Sequence, residues 1–366
     1  MNTQPPRIFL SPPWVGQEER DAVQAAFDSG YVAPCGPQVE AFEQALARQA
    51  GRRFGMAVSS GTAALDLIFA HLGVDETWTV IAPTLTFIAT VGPAWHRGAK
   101  LVFVDSDATG TVDCALLEQA LAKAKDPAHT LVIGVDLYGV CCDYERIGRL
   151  CKRAGATFVL DSAEAVGATR GGRPAGSAGF AAIYSFNGNK IVTTSGGGAI
   201  LTDSKALADH ARKLAQQSRE PVPWYEHKEV GYNYRLSNLL AAVGLAQLGK
   251  LPRILAKRAE NAAFYARYLP GRLLPTGNHW LSVALFDSPE TAQELGARFA
   301  AANIETRPVW KPLHLQPVFA HVPVYGGEVA ESFFRRGLCL PSGTGLTARD
   351  RARIRRVLAS QVHAGI

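Results

Sequence analysis

The sequence predicts an α/β protein in which a mostly parallel sheet is followed by a smaller α+β region. Three observations lead to this prediction. Strand-like and helix-like segments alternate through the first two-thirds, the strand-like runs are apolar throughout, and the pattern changes after about residue 250. With 366 residues, 47% of them hydrophobic, the chain exceeds the usual size of one domain. We therefore predict a large domain over residues 1–250, which includes the N-terminal segment, and a small C-terminal domain over residues 251–366.

Four segments of the first two-thirds have apolar residues at the spacing of amphipathic helices. They cover residues 17–27, 38–49, 62–72 and 143–154. In the second of them, Val39, Phe42 and Leu46 fall on one face, and Gly51 follows as a helix stop. The fourth lies between two strand-like runs, so we interpret it as a crossover helix between parallel strands.

Five short runs between the helices are rich in β-branched and apolar residues. They cover residues 79–82, 101–104, 131–135, 157–160 and 182–186. The runs are continuously apolar, which is typical of strands that are covered on both faces. Together with the helices they predict the layers of an α/β domain.

The region after residue 250 has its own predicted elements: a helix over 253–268, a strand over 280–286 and a helix over 290–302. A closing helix follows Thr347 and Asp350, which can cap its start. Its arginines, in residues 349–356, are interpreted as a solvated helix face. Because no nucleic-acid-binding motif accompanies them, we expect no nucleic-acid partner.

Composition excludes several other classes of protein. The first 13 residues contain four prolines and no apolar core, unlike a signal peptide, and the longest apolar runs are too short to cross a bilayer. The six cysteines do not indicate a disulfide framework, and none has the spacing of a zinc site. We therefore expect a cytoplasmic protein with no membrane partner and no metal. The net charge of +6 suits an anionic substrate.

Residues that could carry chemistry lie at strand ends, where ligands bind in open α/β sheets. The segment Ser59-Ser60-Gly61-Thr62-Ala63 opens the third helix, and its small residues let backbone N–H groups approach an anion. It is a candidate phosphate cradle, with an ordinary capped helix start as the alternative.

Two charged residues follow other predicted strands. Asp161 comes directly after a buried strand, where a carboxylate needs a partner. It could cap the next helix, or keep a pyridine nitrogen protonated as an aspartate does in pyridoxal-phosphate sites. Lys190 follows the last strand and lies among small, uncharged residues. A partly desolvated lysine can lose its proton and form a Schiff base, and a surface loop lysine is the alternative.

Phe87 follows the first strand and could stack on an aromatic cofactor, with a core phenylalanine as the alternative. The order of the four features is more informative than any one of them. A phosphate cradle, an aromatic plate, a carboxylate and a lysine follow one another at successive strand ends. This order indicates a pyridoxal-phosphate enzyme with Lys190 as its Schiff-base residue.

The ordered set resembles the DegT/DnrJ/EryC1/StrS family of sugar-nucleotide aminotransferases, which have the aspartate-aminotransferase fold (pyridoxal-phosphate fold type I). The resemblance extends over almost the whole chain. The matching segments are residues 8–13, 31–37, 59–63, 161–164, 185–198, 231–238 and 338–343. It implies that the cofactor is pyridoxal 5′-phosphate.

The same resemblance implies roles for the residues around the cofactor. Lys190 is the catalytic Schiff-base lysine, and Asp161 holds the pyridine nitrogen. Gly61, Thr62 and Ser185 resemble ligands of the cofactor phosphate. These five residues are expected to meet in one site.

Three further cofactor positions also follow from the resemblance. Phe87 matches the stacking position, and Asn233 matches an asparagine that reaches the phosphate of the neighbouring subunit, which implies a homodimer with shared active sites. Glu164 lies beside the ring hydroxyl, where many members have glutamine. A glutamate there is similar to the branch that acts on 4-keto-6-deoxy hexosamine nucleotides. Some relatives have histidine in place of the lysine and act as dehydratases, and Lys190 argues against that activity.

Contacts with the substrate are predicted at five positions: Tyr31, Arg235, Trp310, Lys311 and His314. The last three lie in a segment that resembles the family's substrate-side loop. On chemistry alone, a structural role is open for each of the five.

The resemblance implies transfer of an amino group from L-glutamate to the 4-keto carbon of a nucleotide-linked 4-keto-6-deoxy sugar. The expected substrate is UDP-4-keto-6-deoxy-GlcNAc, as in the bacillosamine pathway. The alternatives are a GDP-linked 4-keto sugar, as in GDP-perosamine synthesis, and a 3-keto sugar. An alternative of another class is a catalytically silent regulator that binds pyridoxal phosphate, but all the expected catalytic groups are present and no DNA-binding segment is appended.

Overall fold

The computed structural model describes residues 5–362, with side chains through residue 359. Its helices are α1 (Gln17–Asp28), α2 (Pro37–Ala50), α3 (Gly61–Leu72), α4 (Gly92–His96), α5 (Cys114–Ala122), α6 (Tyr144–Ala154), α7 (Lys205–Ala215), α8 (Asn238–Gly249), α9 (Leu251–Ala266), α10 (Pro289–Ala301), α11 (Glu328–Arg336) and α12 (Ala348–Val362). Its strands are β1 (Phe54–Val58), β2 (Thr79–Pro83), β3 (Lys100–Val104), β4 (Thr130–Val135), β5 (Thr157–Asp161), β6 (Thr169–Arg170), β7 (Arg173–Pro174), β8 (Ala181–Ser185), β9 (Gly198–Thr202), β10 (Ser282–Leu285), β11 (Arg307–Pro308), β12 (Val324–Tyr325) and β13 (Gly337–Leu340).

The large sheet has eight strands in the order β1-β9-β8-β5-β4-β2-β3-β12. Every neighbouring pair from β8 to β12 is parallel, whereas β9 runs antiparallel to both β1 and β8. All five predicted strands lie in this sheet, so the mostly parallel α/β fold is confirmed. The sequence did not predict β1, β9 and β12.

The register of the central strands brings the predicted site segments to one edge. Asp161, the last residue of β5, pairs with Val135 at the end of β4 and with Ile183 in β8. Because β1 and β8 are both antiparallel to β9, they run in the same direction, and β1 leads directly into the start of α3. The carboxyl ends of these strands therefore meet at the edge where open α/β sheets bind ligands.

A smaller antiparallel sheet, in the order β10-β13-β11, forms the second part of the structure. A separate apolar cluster packs there and includes Leu295 and Phe299 of α10 and Ile354 of α12. The N-terminal residue Ile8 joins this cluster and forms a bridge with Ile304. In the opposite direction, β12 from the C-terminal third of the chain pairs with β3 in the large sheet. Each part of the structure therefore includes a segment from the other end of the chain. The division at residue 250 stays a prediction.

Within residues 5–362, no single helix has both the length and the apolar composition of a membrane span. Only α8 and α9 taken together meet both criteria, and this pair is bent by 61°.

Candidate active site

A cleft of about 1230 Å³ opens at the carboxyl edge of the large sheet. Nine of the residues predicted from the sequence line it: Gly61, Thr62, Phe87, Asp161, Glu164, Ser185, Lys190, Trp310 and Lys311. The volume is large enough for a cofactor and a substrate together, since typical small-molecule sites measure roughly 300–1,000 Å³.

The N-terminus of α3 forms one wall of the cleft. Ser60 caps the helix by accepting a hydrogen bond from Ala63 N at 3.0 Å. The N–H groups of Gly61 and Thr62 lie in the first turn, so they have no acceptor within the helix. A Cβ at Gly198 of β9 would lie only 2.5 Å from Gly61 N, which shows how closely the strand approaches this turn. The backbone donors and the helix dipole make this wall suitable for a phosphate.

Asp161 lies buried at the end of β5 and is held by two donors. Thr90 Oγ1 donates to Asp161 Oδ2 at 2.8 Å, and Ala163 N donates to Oδ1 at 3.1 Å. Thr90 is in turn hydrogen-bonded to Thr86 at 2.8 Å. Burial raises the pKa of Asp161, because the charged carboxylate is desolvated. A protonated pyridine nitrogen placed here would supply the counter-charge that favours the carboxylate.

Lys190 projects its amine into the cleft beside an acid and an aromatic ring. Its Nζ lies 3.4 Å from Glu164 Oε1 and 4.3 Å from the centroid of the Trp280 ring. The loop that carries the lysine is fixed at the Asn189 carbonyl, which accepts from Trp280 Nε1 at 2.7 Å and from Ser11 Oγ at 3.0 Å. The amine is thus positioned by contacts from three distant parts of the chain.

Glu164 is the second buried acid of the cleft. Its Oε2 accepts a hydrogen bond from Tyr138 N at 2.7 Å, which leaves Oε1 facing Lys190. Burial raises the pKa of Glu164 to about 7, opposed mainly by the positive charge of Lys190 and increased further by Asp161. Glu164 can therefore hold or release a proton near neutral pH beside the Lys190 amine.

Glu164 and Asp136 are buried acids with a strongly raised pKa. They predict how the free energy of unfolding changes with pH in protein from which the cofactor has been removed. Burial also raises the pKa of Asp136, which accepts from Tyr144, Ser162 and Cys142, to about 6. Because the folded protein binds these two protons more tightly than the unfolded chain, the contribution of Glu164 and Asp136 to the free energy of unfolding is expected to fall as pH rises from about 4 to about 7.

Urea unfolding of two substituted variants, measured across that pH range, tests this link between protonation and the free energy of unfolding. Glu164→Gln should reduce the pH slope by up to one bound proton between pH 4.5 and about 7, and Asp136→Asn should do so between 3.8 and about 6. The two variants serve as controls for each other because their pH windows differ. A wild-type slope in either variant would contradict the raised pKa of that residue.

A series of aromatic contacts runs from the exposed Phe87 ring in the cleft to the buried rings of Tyr138 and Trp280. Phe87 is 55% exposed, and its ring centroid lies 5.4 Å from that of Trp310. Trp310 contacts Tyr138 at 5.1 Å between centroids, and Tyr138 lies 6.1 Å from Trp280. The exposed face of Phe87 is available to cover a planar cofactor ring.

Four predicted site residues lie outside the cleft lining. Asn233 is exposed, and its backbone forms a bridge with Gln216, to whose side chain Arg235 donates at 3.2 Å. The Tyr31 side chain is 51% exposed. His314 Nδ1 is hydrogen-bonded to Thr84 Oγ1 at 2.7 Å. This chain does not bring the four together, and their proposed ligand contacts stay predictions.

Several residues that shape the site were not predicted from the sequence. Four of them contact the loop that carries Lys190 or the buried acids: Ser11, Thr90, Tyr138 and Trp280. Arg307 lines the cleft together with Trp310. Arg307 lies three residues before Trp310, so extending the substrate-side segment towards the N-terminus would have included it.

The cleft fits pyridoxal phosphate by its own geometry. It combines a helix N-terminus for the phosphate, a buried carboxylate for the ring nitrogen, an exposed aromatic face and a lysine amine. These are the positions expected for Gly61 and Thr62, Asp161, Phe87 and Lys190.

Comparison with known proteins supports the same conclusion. Residues 13–359 match the model of the DegT/DnrJ/EryC1/StrS aminotransferase family. EpsN of Bacillus subtilis is 40% identical over 98% of this chain and 96% of its own. It is provisionally named a pyridoxal phosphate-dependent aminotransferase. A GDP-perosamine synthase of Caulobacter vibrioides is 36% identical over 97% of both chains. The crystal structure of S. venezuelae DesV is 31% identical, with a TM-score of 0.85 over 96% of this chain and 95% of its own. The chain therefore belongs to the DegT/DnrJ/EryC1/StrS aminotransferase family and is a pyridoxal phosphate-dependent sugar aminotransferase.

Proposed function

We propose that this enzyme transfers an amino group from L-glutamate to the 4-keto carbon of UDP-4-keto-6-deoxy-GlcNAc. The observation that carries the proposal is the contact between Lys190 Nζ and Glu164 Oε1 at 3.4 Å. It gives the catalytic amine an acidic neighbour of the kind that the resemblance associates with 4-keto-6-deoxy hexosamine nucleotides.

Each residue of the cleft has a defined task in this reaction. The cofactor supplies an electron-accepting ring that carries the amino group between donor and acceptor. The N-terminus of α3 binds and orients the phosphate, and Asp161 holds the proton on the ring nitrogen. Lys190 would remove the proton from the α-carbon of the donor and deliver it to C4′ of the cofactor, and in the second half it would move a proton in the opposite direction, from C4′ to C4 of the sugar. Glu164 is placed to exchange a proton with Lys190 between these steps.

The substrate side of the cleft offers positive charge and aromatic surface. Arg307 and Lys311 line the cleft together with Trp310. Two cations suit the diphosphate of a sugar nucleotide. A GDP-linked 4-keto sugar is the second candidate, because a relative named GDP-perosamine synthase is 36% identical.

The proposal includes a homodimer with shared active sites in the cytoplasm. The exposed position of Asn233 on the surface supports the dimer, since its proposed role is to reach the phosphate bound by the neighbouring subunit.

A substrate panel tests the proposed reaction. The holoenzyme is incubated with L-glutamate and UDP-, GDP- and dTDP-linked 3-keto and 4-keto sugars, and the amino product is detected by mass spectrometry. We expect the UDP-linked 4-keto-6-deoxy sugar to give the highest kcat/KM, by about tenfold or more over the GDP-linked sugar. A larger value for the GDP-linked or a 3-keto sugar would replace the proposed substrate. Failure to aminate any of them would favour the catalytically silent regulator.

A further inference from the structure

Arg258 of α9 is a buried arginine that none of the roles described above uses. It is 2% exposed, and no carboxylate pairs with it among the side chains that the structure describes. Burial lowers the pKa of Arg258 to about 9, because the charged guanidinium is desolvated. A buried cation is costly unless polar groups satisfy its donors. The groups that accept hydrogen bonds from this arginine therefore indicate its role.

The guanidinium donates to neutral oxygens from three separate parts of the chain. Nη1 donates to the Trp280 carbonyl at 2.6 Å, Nη2 to Ser11 Oγ at 3.2 Å, and Nε to Thr344 Oγ1 at 3.1 Å. The first two belong to the residues whose side chains hold the Asn189 carbonyl, directly before Lys190. The buried charge is therefore connected to the loop that carries the proposed catalytic amine.

These hydrogen bonds close into a ring of four residues, Arg258, Ser11, Asn189 and Trp280. Because a guanidinium has no acceptor, Ser11 Oγ accepts from Arg258 and directs its own proton to the Asn189 carbonyl. The indole Nε1 of Trp280 donates to the same carbonyl. Both donors that fix the loop are thus themselves held by one side chain of α9.

Trp280 extends this ring to the amine of Lys190. Its indole fixes Asn189, and the centroid of its ring lies 4.3 Å from Lys190 Nζ. Its main chain is held on both sides, since its N–H donates to Asn278 Oδ1 at 3.0 Å and its carbonyl accepts from Arg258. Displacement of this main chain would shift both the residue before Lys190 and the surface against which the amine lies.

We propose that Arg258 is a positioning residue for Lys190, which acts through Trp280 and Ser11. The inference rests on the proposed function, in which Lys190 moves the proton. Arg258 does not line the cleft, so it acts on the reaction only through these neighbours. Displacement of a reacting group by about 1 Å can cost about a hundredfold in rate, which is enough for a distant residue to matter.

The first test is Arg258→Lys, which keeps the positive charge but replaces the fixed fork of two nitrogens by a compact ammonium. The holoenzyme is mixed with L-glutamate at increasing concentrations, and single turnover is followed by the absorbance of the cofactor. We expect the saturating rate to fall by about ten- to a hundredfold, with the half-saturating concentration of glutamate within about twofold of the wild type. A saturating rate within about threefold of the wild type, or a change in the half-saturating concentration alone, would overturn the proposal.

A second variant and a matched control separate this effect from the general loss of a buried hydrogen bond. Ser11→Ala removes one of the two donors to the Asn189 carbonyl and should lower the saturating rate by about three- to tenfold, because Trp280 Nε1 remains. Tyr265→Phe removes a buried hydrogen bond of 2.8 Å from the same helix to a carbonyl outside the ring, and should keep the wild-type rate. Equal rates in Ser11→Ala and Tyr265→Phe would contradict the role of the ring.

Hydrogen exchange of the holoenzyme, followed by mass spectrometry, tests the positioning without turnover. The Lys190 N–H donates to the Asn187 carbonyl at 3.0 Å, so opening of the loop exposes this amide. Arg258→Lys and Ser11→Ala are expected to speed exchange in the peptide that contains Lys190 by about tenfold, and Tyr265→Phe is expected to leave it unchanged. Wild-type exchange in the first two variants would overturn the proposal, even if their rates fell. A wild-type holoenzyme that L-glutamate does not convert would overturn the proposed donor, and exchange would still decide the positioning of Lys190.

Discussion

Replacing Lys190 by alanine is expected to lower the rate of amino transfer by at least about a thousandfold. Its Nζ lies in the cleft 3.4 Å from Glu164 Oε1, and the loop that carries it is fixed by Trp280. Alanine removes the amine that we propose both binds the cofactor covalently and moves the proton. Lys311, which also lines the cleft, lies in the substrate-side segment and cannot take over both tasks without moving that segment.

The rate is measured as single-turnover conversion of the holoenzyme by L-glutamate, followed by the absorbance of the cofactor. Lys123→Ala, at an exposed position after α5, serves as the matched control and should keep the wild-type rate. Reduction of the wild-type holoenzyme with borohydride should attach the cofactor to the peptide that contains Lys190, as seen by peptide mass mapping. Attachment to another lysine, or a Lys190→Ala rate within tenfold of the wild type, would refute the assignment.

The sequence predicted those parts of the fold that have a strong local pattern. Each of the central strands β2, β4 and β5 contains at least three consecutive apolar residues and is rich in β-branched ones, and each was recognised because burial on both faces favours such a run. In β1, Gly55 interrupts the apolar pattern, and β9 begins directly after a run of glycines. These two strands gain their stability from pairing with each other, as Met56 pairs with Ile200, and such distant pairing leaves little local signal.

The residues of the site, like the strands, were recognised only where the local sequence pattern is strong. Gly61, Asp161 and Lys190 were recognised because each follows a strand or opens a helix, and strand ends converge in a parallel sheet. Trp280 was interpreted only as part of a strand, because nothing in its neighbourhood distinguishes it from a core tryptophan. Its bond to the Asn189 carbonyl depends on how the two sheets pack, which one segment of sequence does not show.

Among the residues that the structure describes, no cation lies within hydrogen-bonding distance of the buried Asp161 carboxylate, and this arrangement is costly unless a ligand completes it. Two neutral donors, Thr90 Oγ1 and Ala163 N, orient the carboxylate, while burial raises its pKa in the protein alone. A ligand with a protonated ring nitrogen would reverse that shift, because the positive charge favours the carboxylate. The arrangement therefore supports the proposed role of Asp161 in holding the protonated form of a pyridine ring.

Asp161→Asn is therefore expected to slow amino transfer by at least about a hundredfold, since a neutral amide of the same size does not keep the ring nitrogen protonated. Thr90→Val, which removes the 2.8 Å bond to Oδ2, should cost about tenfold because the carboxylate is kept but less well oriented. Asp209→Asn, at a side chain 64% exposed, provides the matched control. Single-turnover rates with L-glutamate and the spectrum of the bound cofactor distinguish lost chemistry from lost binding. If Asp161→Asn kept its rate within threefold while Thr90→Val lost activity, Thr90 rather than Asp161 would be the residue that acts on the ring.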